Sequence, residues 1–246
     1  MLAITDHDST DALPEAFEEA ARHGIELVPG LEINCDVPGS EIHVLGYHVD
    51  WRAPWFQEFL REQREERKAR VHRIVARLTE LGMPITADEV FAICKEGSPG
   101  RPHVAQALVS RGYVKTVREA FDRWLHAGGP ASVPRRRLTP VEAVRVIRRA
   151  RGVPVLAHPG LANRDELIPE LVDAGLAGIE TYYPEHSAAQ IEAYRAMCRR
   201  LDLVATGGSD YHGPHTGRAG TVGRPHIDLE VSRDLERKAR QLGVPA

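Results

Sequence analysis

The period of the apolar positions changes several times along the chain, and each change marks an element. In residues 12–23, Leu13, Ala16, Phe17, Ala20 and Ala21 share one helical face and Gly24 supplies a stop, which predicts a helix. A strand "IELVPG", running into "LEINCD", and a second strand-like run "EIHVLGYHVD" follow. From about Pro54 the pattern turns helical. Val71, Ile74, Val75, Leu78 and Leu81 form the apolar stripe of an arginine-rich helix over roughly residues 55–81. Shorter helical patterns follow in "ADEVFAICKEG", "RPHVAQALVSRG" and "TVREAFDRWL", each closed by or near a glycine.

After residue 137 strands and helices alternate. "LTPVEAVRVIRRARG" opens with Thr139 as N-cap, Pro140 at the first helical position and Glu142 to complete a capping box. Then come a strand "VPVLAHPG", a helix in "RDELIPELVDAG", a strand "LAGIETYY", a helix "SAAQIEAYRAMCRRLD", a strand "LVATGGSDYHG" and a helix near residues 231–242. Repeated strand-then-helix units predict an α/β fold with a parallel sheet, open or closed into a barrel. The helical block at 54–137 interrupts it, so residues 1–53 and 138–246 are expected to form one domain and 54–137 an inserted helical subdomain.

Composition narrows the function classes. A length of 246 residues, 42% of them apolar and 27% charged, suits one globular α/β domain with an insertion. A formal net charge of −3 gives no general reason to expect a nucleic-acid binder. No apolar run approaches the ~20 residues of a membrane span, and no signal-peptide pattern precedes "AITDHD". Cys35, Cys94 and Cys198 are scattered and odd in number, which fits a reducing cytoplasm.

Twelve histidines are unusual, and several stand beside Asp or Glu at the ends of apolar runs. The expected strand tips carry Asp6 and His7 ("TDHD"), Glu32 ("GLE"), His43 and His48 ("EIHVLGYH"), His158 ("AHP"), Glu180 and His186 ("GIETYYPEH"), and Asp210 and His212 ("GSDYH"). Taken singly each has an ordinary explanation. "AHP" alone is more often a buried histidine satisfied by backbone, and Asp6 or Asp8 could cap a helix starting near Asp11. Asp210 and His212, two apart on a strand end, should point to one side. Six coincidences at strand tips are improbable together, and imidazole with carboxylate suits Zn, Mn or Fe rather than Mg or Ca.

In this order "ITDHD", "GLEI", "HVLGY", "AHPG" and "GSDYHG" resemble the polymerase and histidinol phosphatase (PHP) superfamily. Within it they are most similar to the stand-alone phosphoesterases of nucleoside 3′,5′-bisphosphates and RNA 5′ ends. The resemblance covers nearly the whole chain. It implies a distorted seven-stranded (β/α) TIM-like barrel with up to three divalent ions, commonly Mn and sometimes Fe or Zn. It further implies that Glu32 bridges two ions, that His43 and His158 complete the second, and that Asp210 ligates the first. His7 and His212 would hold the third, and Asp6 would orient a ligand rather than bind. His48, Glu180 and His186 match no family ligand and are taken as structural.

The family's first strand carries an H-x-H motif about 30 residues before "TDHD", and here Met1 stands five residues before Asp6. The expectation is therefore a barrel without its first strand, in a truncated chain of impaired activity. The mechanism implied is in-line attack on phosphorus by a metal-activated hydroxide. Asp6, His7, Arg101 and His212 are the catalytic candidates. Arg101 and His103 in "GRPHVA" and Arg136 in "PRRRLTP" are candidates for substrate phosphate. The arginines of the long helix alternate with glutamates and are read as a solvated face. The expected partner is a small nucleotide or a short RNA 5′ end, with no membrane and no stable protein partner. Two other readings stay open: a catalytically inactive barrel with a structural or regulatory role, and an amidohydrolase-like C–N hydrolase.

Overall fold

The computed structural model describes residues 1–38, 40–94, 99–126, 128–133, 138–213 and 221–241. Its elements begin with β1 (Leu2–Ile4), α1 (Leu13–Arg22), β2 (Leu27–Val37), β3 (Ser40–Tyr47), α2 (Pro54–Glu80), α3 (Ala87–Cys94) and α4 (Arg101–Ser110). There follow α5 (Val117–Ala120), a π-helical turn (Phe121–Leu125), α6 (Pro140–Arg149), β4 (Val153–Leu156), α7 (Pro159–Ala162) and α8 (Ile168–Ala174). The chain ends with β5 (Gly178–Tyr182), α9 (Ala188–Leu201), β6 (Val204–Gly207) and α10 (Leu229–Gln241). Two compact units result, one of residues 1–37, 41–53 and 138–246, the other of 38–40 and 54–137.

The first unit is a mixed α/β fold around a six-stranded sheet in the order β1-β2-β3-β4-β5-β6. The alternation of strand and helix predicts a parallel sheet. The sheet is parallel at β1–β2 and across β4–β5–β6, but β3 runs antiparallel to β4. The reason is the link between β2 and β3, Pro38 and Gly39 alone. Neighbouring parallel strands need a crossover of a dozen or more residues, and two residues permit only a reversal.

The reversal decides where the histidines of β3 go. The Ala157 N–H donates to the His43 carbonyl at 3.0 Å, so His43, near the start of β3, lies level with the carboxyl end of β4. His48, just past the end of β3, is carried to the opposite end of the sheet. "IELVPG" and "LEINCD" form the single strand β2. At Gly30 a Cβ would stand 2.8 Å from Thr5 Cγ2 and 3.0 and 3.1 Å from the carbonyl oxygens of Ile4 and Gly46, so three chain segments meet there with no room for a side chain.

Behind the sheet, Val28, Leu45, Val153, Val155 and Val204 pack with Leu235 and Ala239 of α10. At the start of α6, Thr139 Oγ1 accepts from the Glu142 N–H at 3.2 Å and Glu142 Oε2 accepts from the Thr139 N–H at 2.8 Å. Ala143, Val144 and Ile147 form its buried face. In α1, by contrast, neither Asp6 nor Asp8 is a cap: the N-cap position is Ala12.

The second unit has its own core. Val71, Ile74 and Leu78 of α2 pack with Val90 of α3, Val104 and Leu108 of α4, and Leu125. The outer charges of α2 pair with one another, as in Arg61–Glu58, Lys68–Glu65 and Arg73–Glu66. Exposed pairs of this kind are screened by water and add little to stability. Among the described residues no helix is long and apolar enough to cross a membrane.

Candidate metal centre

At the carboxyl end of the parallel strands the polar residues of the sequence motifs come together. Glu32 is the hub. It is 5% exposed, yet its two carboxylate oxygens face different imidazoles. Oε1 lies 2.6 Å from His43 Nδ1 and 3.2 Å from His158 Nε2, and Oε2 lies 3.3 Å from His7 Nδ1. His43 Nδ1 and His158 Nε2 are themselves 3.2 Å apart. One ligand atom from each of His7, Glu32 and His43 falls within 4.8 Å of the others.

A second group adjoins this one through His7. His212 Nε2 approaches His7 Nε2 at 3.4 Å, and His212 Nδ1 stands 3.2 Å from Asp210 Oδ1. The other Asp210 oxygen accepts from the Tyr183 hydroxyl at 2.9 Å. Thus His7, Glu32, His43, His158, Asp210 and His212 form one connected cluster. Asp6 is exposed at its rim, in the electrostatic field of His212.

Each side chain reaches the cluster by a local device. His7, three residues beyond β1, forms an isolated parallel bridge with Glu32 of β2. Glu32 and Asn34, two apart on β2, share a face. The Asn34 amide nitrogen lies 3.1 Å from His7 Nδ1, and its backbone and side-chain N–H groups donate to the buried carboxylate of Asp8. Around the cluster, Asp8 (φ 49°), His158 (φ 25°) and Asp210 (φ 47°) have left-handed backbone. Non-glycine residues at positive φ are uncommon and cluster at functional sites. The sequence predicts Asp210 and His212 on a strand. Both lie beyond β6, and the left-handed turn at Asp210 breaks the pleat, so Asp210, not strand alternation, sets their direction.

The electrostatics match the burial. Burial by itself raises the Glu32 pKa, but His7 and His43, with hydrogen bonds from His158 and His43, hold it well below the usual carboxylate range. His158 shows the reciprocal effect: burial lowers it, and Glu32, then Glu180 and Asp210, lift it to about 9. Glu180, buried beneath the site, is pushed up to about 7 by desolvation.

The donor set fits divalent transition ions. Imidazole and carboxylate are their ordinary ligands, and Glu32 turns one oxygen to His43 and His158 and the other to His7. His43 Nε2 is buried with no hydrogen-bond partner, which an apolar or fully paired cluster would not leave.

Arg101 and His103, two of the phosphate candidates, have partners within their own unit. In the helical unit, the Arg101 guanidinium donates to the Leu125 carbonyl at 3.1 Å and lies against the Phe121 ring, and His103 Nδ1 accepts from the Gly100 N–H at 3.2 Å. Arg136 lies outside the described residues. The sequence reading missed Asn34 and Tyr183. Asn34 could have been found from its i, i+2 relation to Glu32, whereas nothing local marks Tyr183.

No family model matches the chain. The chain is 34% identical to the phosphoribosyl 1,2-cyclic phosphate 1,2-diphosphodiesterase of Eggerthella lenta, over 94% of this chain and 87% of that protein. It is 32% identical to the 3′,5′-nucleoside bisphosphate phosphatase of Chromobacterium violaceum, over 96% and 86% of the two chains. It is 33% identical to the 5′-3′ exoribonuclease Rnm of Salmonella typhimurium, over 87% and 75%. A crystal structure from Bifidobacterium adolescentis, provisionally assigned as a metal-dependent phosphoesterase, superposes with a TM-score of 0.86 at 31% identity, covering 96% of this chain and 85% of that one.

Proposed function

Because the chain belongs to the PHP superfamily, we propose that its histidine–carboxylate cluster binds divalent ions and hydrolyses the phosphate esters of nucleotides. The chain is a hydrolase of nucleotide phosphoesters. The observation that carries the reading of the site is the division of Glu32, with His43 and His158 on one oxygen and His7 on the other.

In this reading Glu32, His43 and His158 hold one ion. Glu32 and Asp210 contribute to a second, and His7 with His212 to a third, their Nε2 atoms facing one another at 3.4 Å. Ions bound there would supply Lewis acidity toward a phosphoryl oxygen and toward an attacking water. The chain's own groups do the remaining work. Glu32 keeps its charge under burial because three imidazoles surround it. His7 and His212, partly exposed at the rim, face the entering substrate, and Asp6 beside them orients His212 by its charge.

The finer assignments belong to the same proposal. The substrate is a nucleoside 3′,5′-bisphosphate or a short RNA 5′ end, the ion is Mn with Fe and Zn as alternatives, and the sheet belongs to the family's distorted seven-stranded barrel. Residues 54–137 are a helical insertion in that barrel. Free Cys35, Cys94 and Cys198 support a cytoplasmic setting.

The test strips the purified protein of metal, reloads it with Mn, Fe or Zn, and follows phosphate release from three substrates: a nucleoside 3′,5′-bisphosphate, a 5′-phosphorylated oligoribonucleotide and a cyclic phosphodiester. Metal-dependent release, abolished by chelator, is expected from at least the bisphosphate. Turnover unaffected by chelation would sink the metal reading. A protein that binds ions yet cleaves no phosphoester would support the inactive-barrel alternative.

A further inference from the structure

One segment, "GIETYYPEH" at the end of β5, has three polar side chains that the cluster does not use as ligands, and each reaches a different part of it. Glu180 is 4% exposed, and its Oε2 accepts from the backbone N–H of His158 at 2.9 Å. That N–H belongs to the residue at φ 25°, a conformation that costs energy unless the surroundings fix it. Glu180 Oε1 occupies the space a side chain at Gly208 would need, since a Cβ there would stand 2.7 Å from it. Tyr183 donates its hydroxyl to Asp210 Oδ2 at 2.9 Å. His186, 7% exposed, accepts from the Gly160 N–H through Nε2 at 3.2 Å, while its Nδ1 lies 3.0 Å from the Thr181 carbonyl. This assigns His186 as the neutral tautomer with the proton on Nδ1. A Cβ at Gly160 would come within 2.7 Å of His186 Cδ2 and of Gln190 Nε2.

We propose that Glu180, Tyr183 and His186 form a positioning brace that fixes the His158 turn and the Asp210 carboxylate at the distances an ion requires. The proposal rests on the reading of the cluster as a metal centre and extends it to three residues outside the ligand set. The segment binds two strand ends at once: Glu180 and His186 clamp residues 158–160 after β4, and Tyr183 holds Asp210 after β6. Each contact fixes a direction. His158 cannot relax out of its left-handed turn without stranding a buried carboxylate, and Asp210 cannot rotate without losing the phenol. The two glycines of "AHPG" and "TGGSD" are the complement, because each leaves space for a brace side chain. Outer partners of ligating residues typically change metal affinity or activity ~10–100-fold when removed.

The experiment compares wild type with Glu180→Ala, Glu180→Gln, Tyr183→Phe and Gly160→Ala. For each it measures thermal midpoint without metal, Mn affinity by chelator competition, the visible absorption of the Co-loaded protein, and kcat and KM. We expect Glu180→Ala and Tyr183→Phe to weaken ion binding ~10–100-fold and to alter the Co spectrum. Glu180→Gln keeps an acceptor oxygen for the His158 N–H and should recover most of the affinity. Gly160→Ala should show the Ala-like defect by displacing His186. Should Glu180→Ala fail to fold, Tyr183→Phe, which removes one hydroxyl, still decides the matter. Variants that lower only the thermal midpoint, with wild-type ion affinity and Co spectrum, would overturn the brace and leave the metal reading intact. A wild-type protein that binds neither Mn nor Co would overturn both.

Discussion

His48 shows how one position separates two histidines that look alike in the sequence. Both His43 and His48 belong to "EIHVLGYH", and only His43 meets Glu32. His48 sits half-buried in left-handed backbone (φ 56°), with Nε2 buried and unpaired. Burial lowers its pKa, opposed by the charges of Glu236 and Glu26. A histidine with a lowered folded value contributes stability above its ordinary pKa near 6.5 and loses it as pH falls through the folded value. The native protein should therefore lose stability between pH 7.5 and 5.5 partly through His48. His48→Asn, which tolerates the same backbone, should reduce that loss and make the pH slope shallower. Urea unfolding at the two pH values checks it, and an unchanged pH slope would show that His48 is not the cause.

Two predictions belong to helix starts. The reciprocal bonds of Thr139 and Glu142 satisfy N–H groups at the start of α6, whose buried face supports the sheet. Thr139→Ala should cost about 1 kcal/mol, a lowering of the thermal midpoint by about 2–4 °C, with ion affinity unchanged. The start of α4 carries Arg101, whose guanidinium is held by the Leu125 carbonyl and the Phe121 ring. If Arg101 meets substrate phosphate, Arg101→Ala should raise KM ~10-fold or more, the loss of one charge-assisted contact, and leave bound metal per chain unchanged. Equal KM values would remove it from the substrate site. The start of α6 was legible because its capping residue, first-position proline and apolar face are neighbours in the chain. The β2–β3 reversal was less legible, since two successive strand-like runs were read without their direction, and the strand–helix alternation elsewhere predicts a parallel sheet.

At the scale of the whole molecule, bound ions should stabilise the fold by mass action, ~2.7 kcal/mol at a hundredfold excess over Kd. The effect should depend on pH. His158 is lifted to about 9 in the metal-free cluster, so its protonated form stabilises that state fully below about 6.5 and loses this contribution as pH rises through about 9. An ion must displace that proton, and its apparent affinity should fall as pH is lowered from 9 to 6. Thermal melts with Mn and with chelator should therefore diverge more at pH 8 than at pH 6. Equal divergence would show that His158 is not displaced from its proton and is no ligand.

Much about this protein was set by its sequence alone. Helix periods, the capping box at Thr139 and the recurrence of Asp, Glu and His at the ends of apolar runs are local signals, and physical chemistry reads local signals directly. Hence the α/β class and the polar candidates at the strand tips were legible, while the resemblance of the ordered motifs to a known family singled out the six cluster residues and pointed to the phosphoesterases. Only the tertiary structure decided what depends on residues far apart in the chain. It paired β3 with β4 so that His43, and not His48, stands at the carboxyl end of the parallel strands. It set Glu32 between imidazoles 25, 11 and 126 positions away in the chain. It gave Glu180, Tyr183 and His186 their partners at His158, Asp210 and Gly160. A buried carboxylate must find a donor, but which donor it finds is settled by the packing of strands and not by its neighbours in the chain.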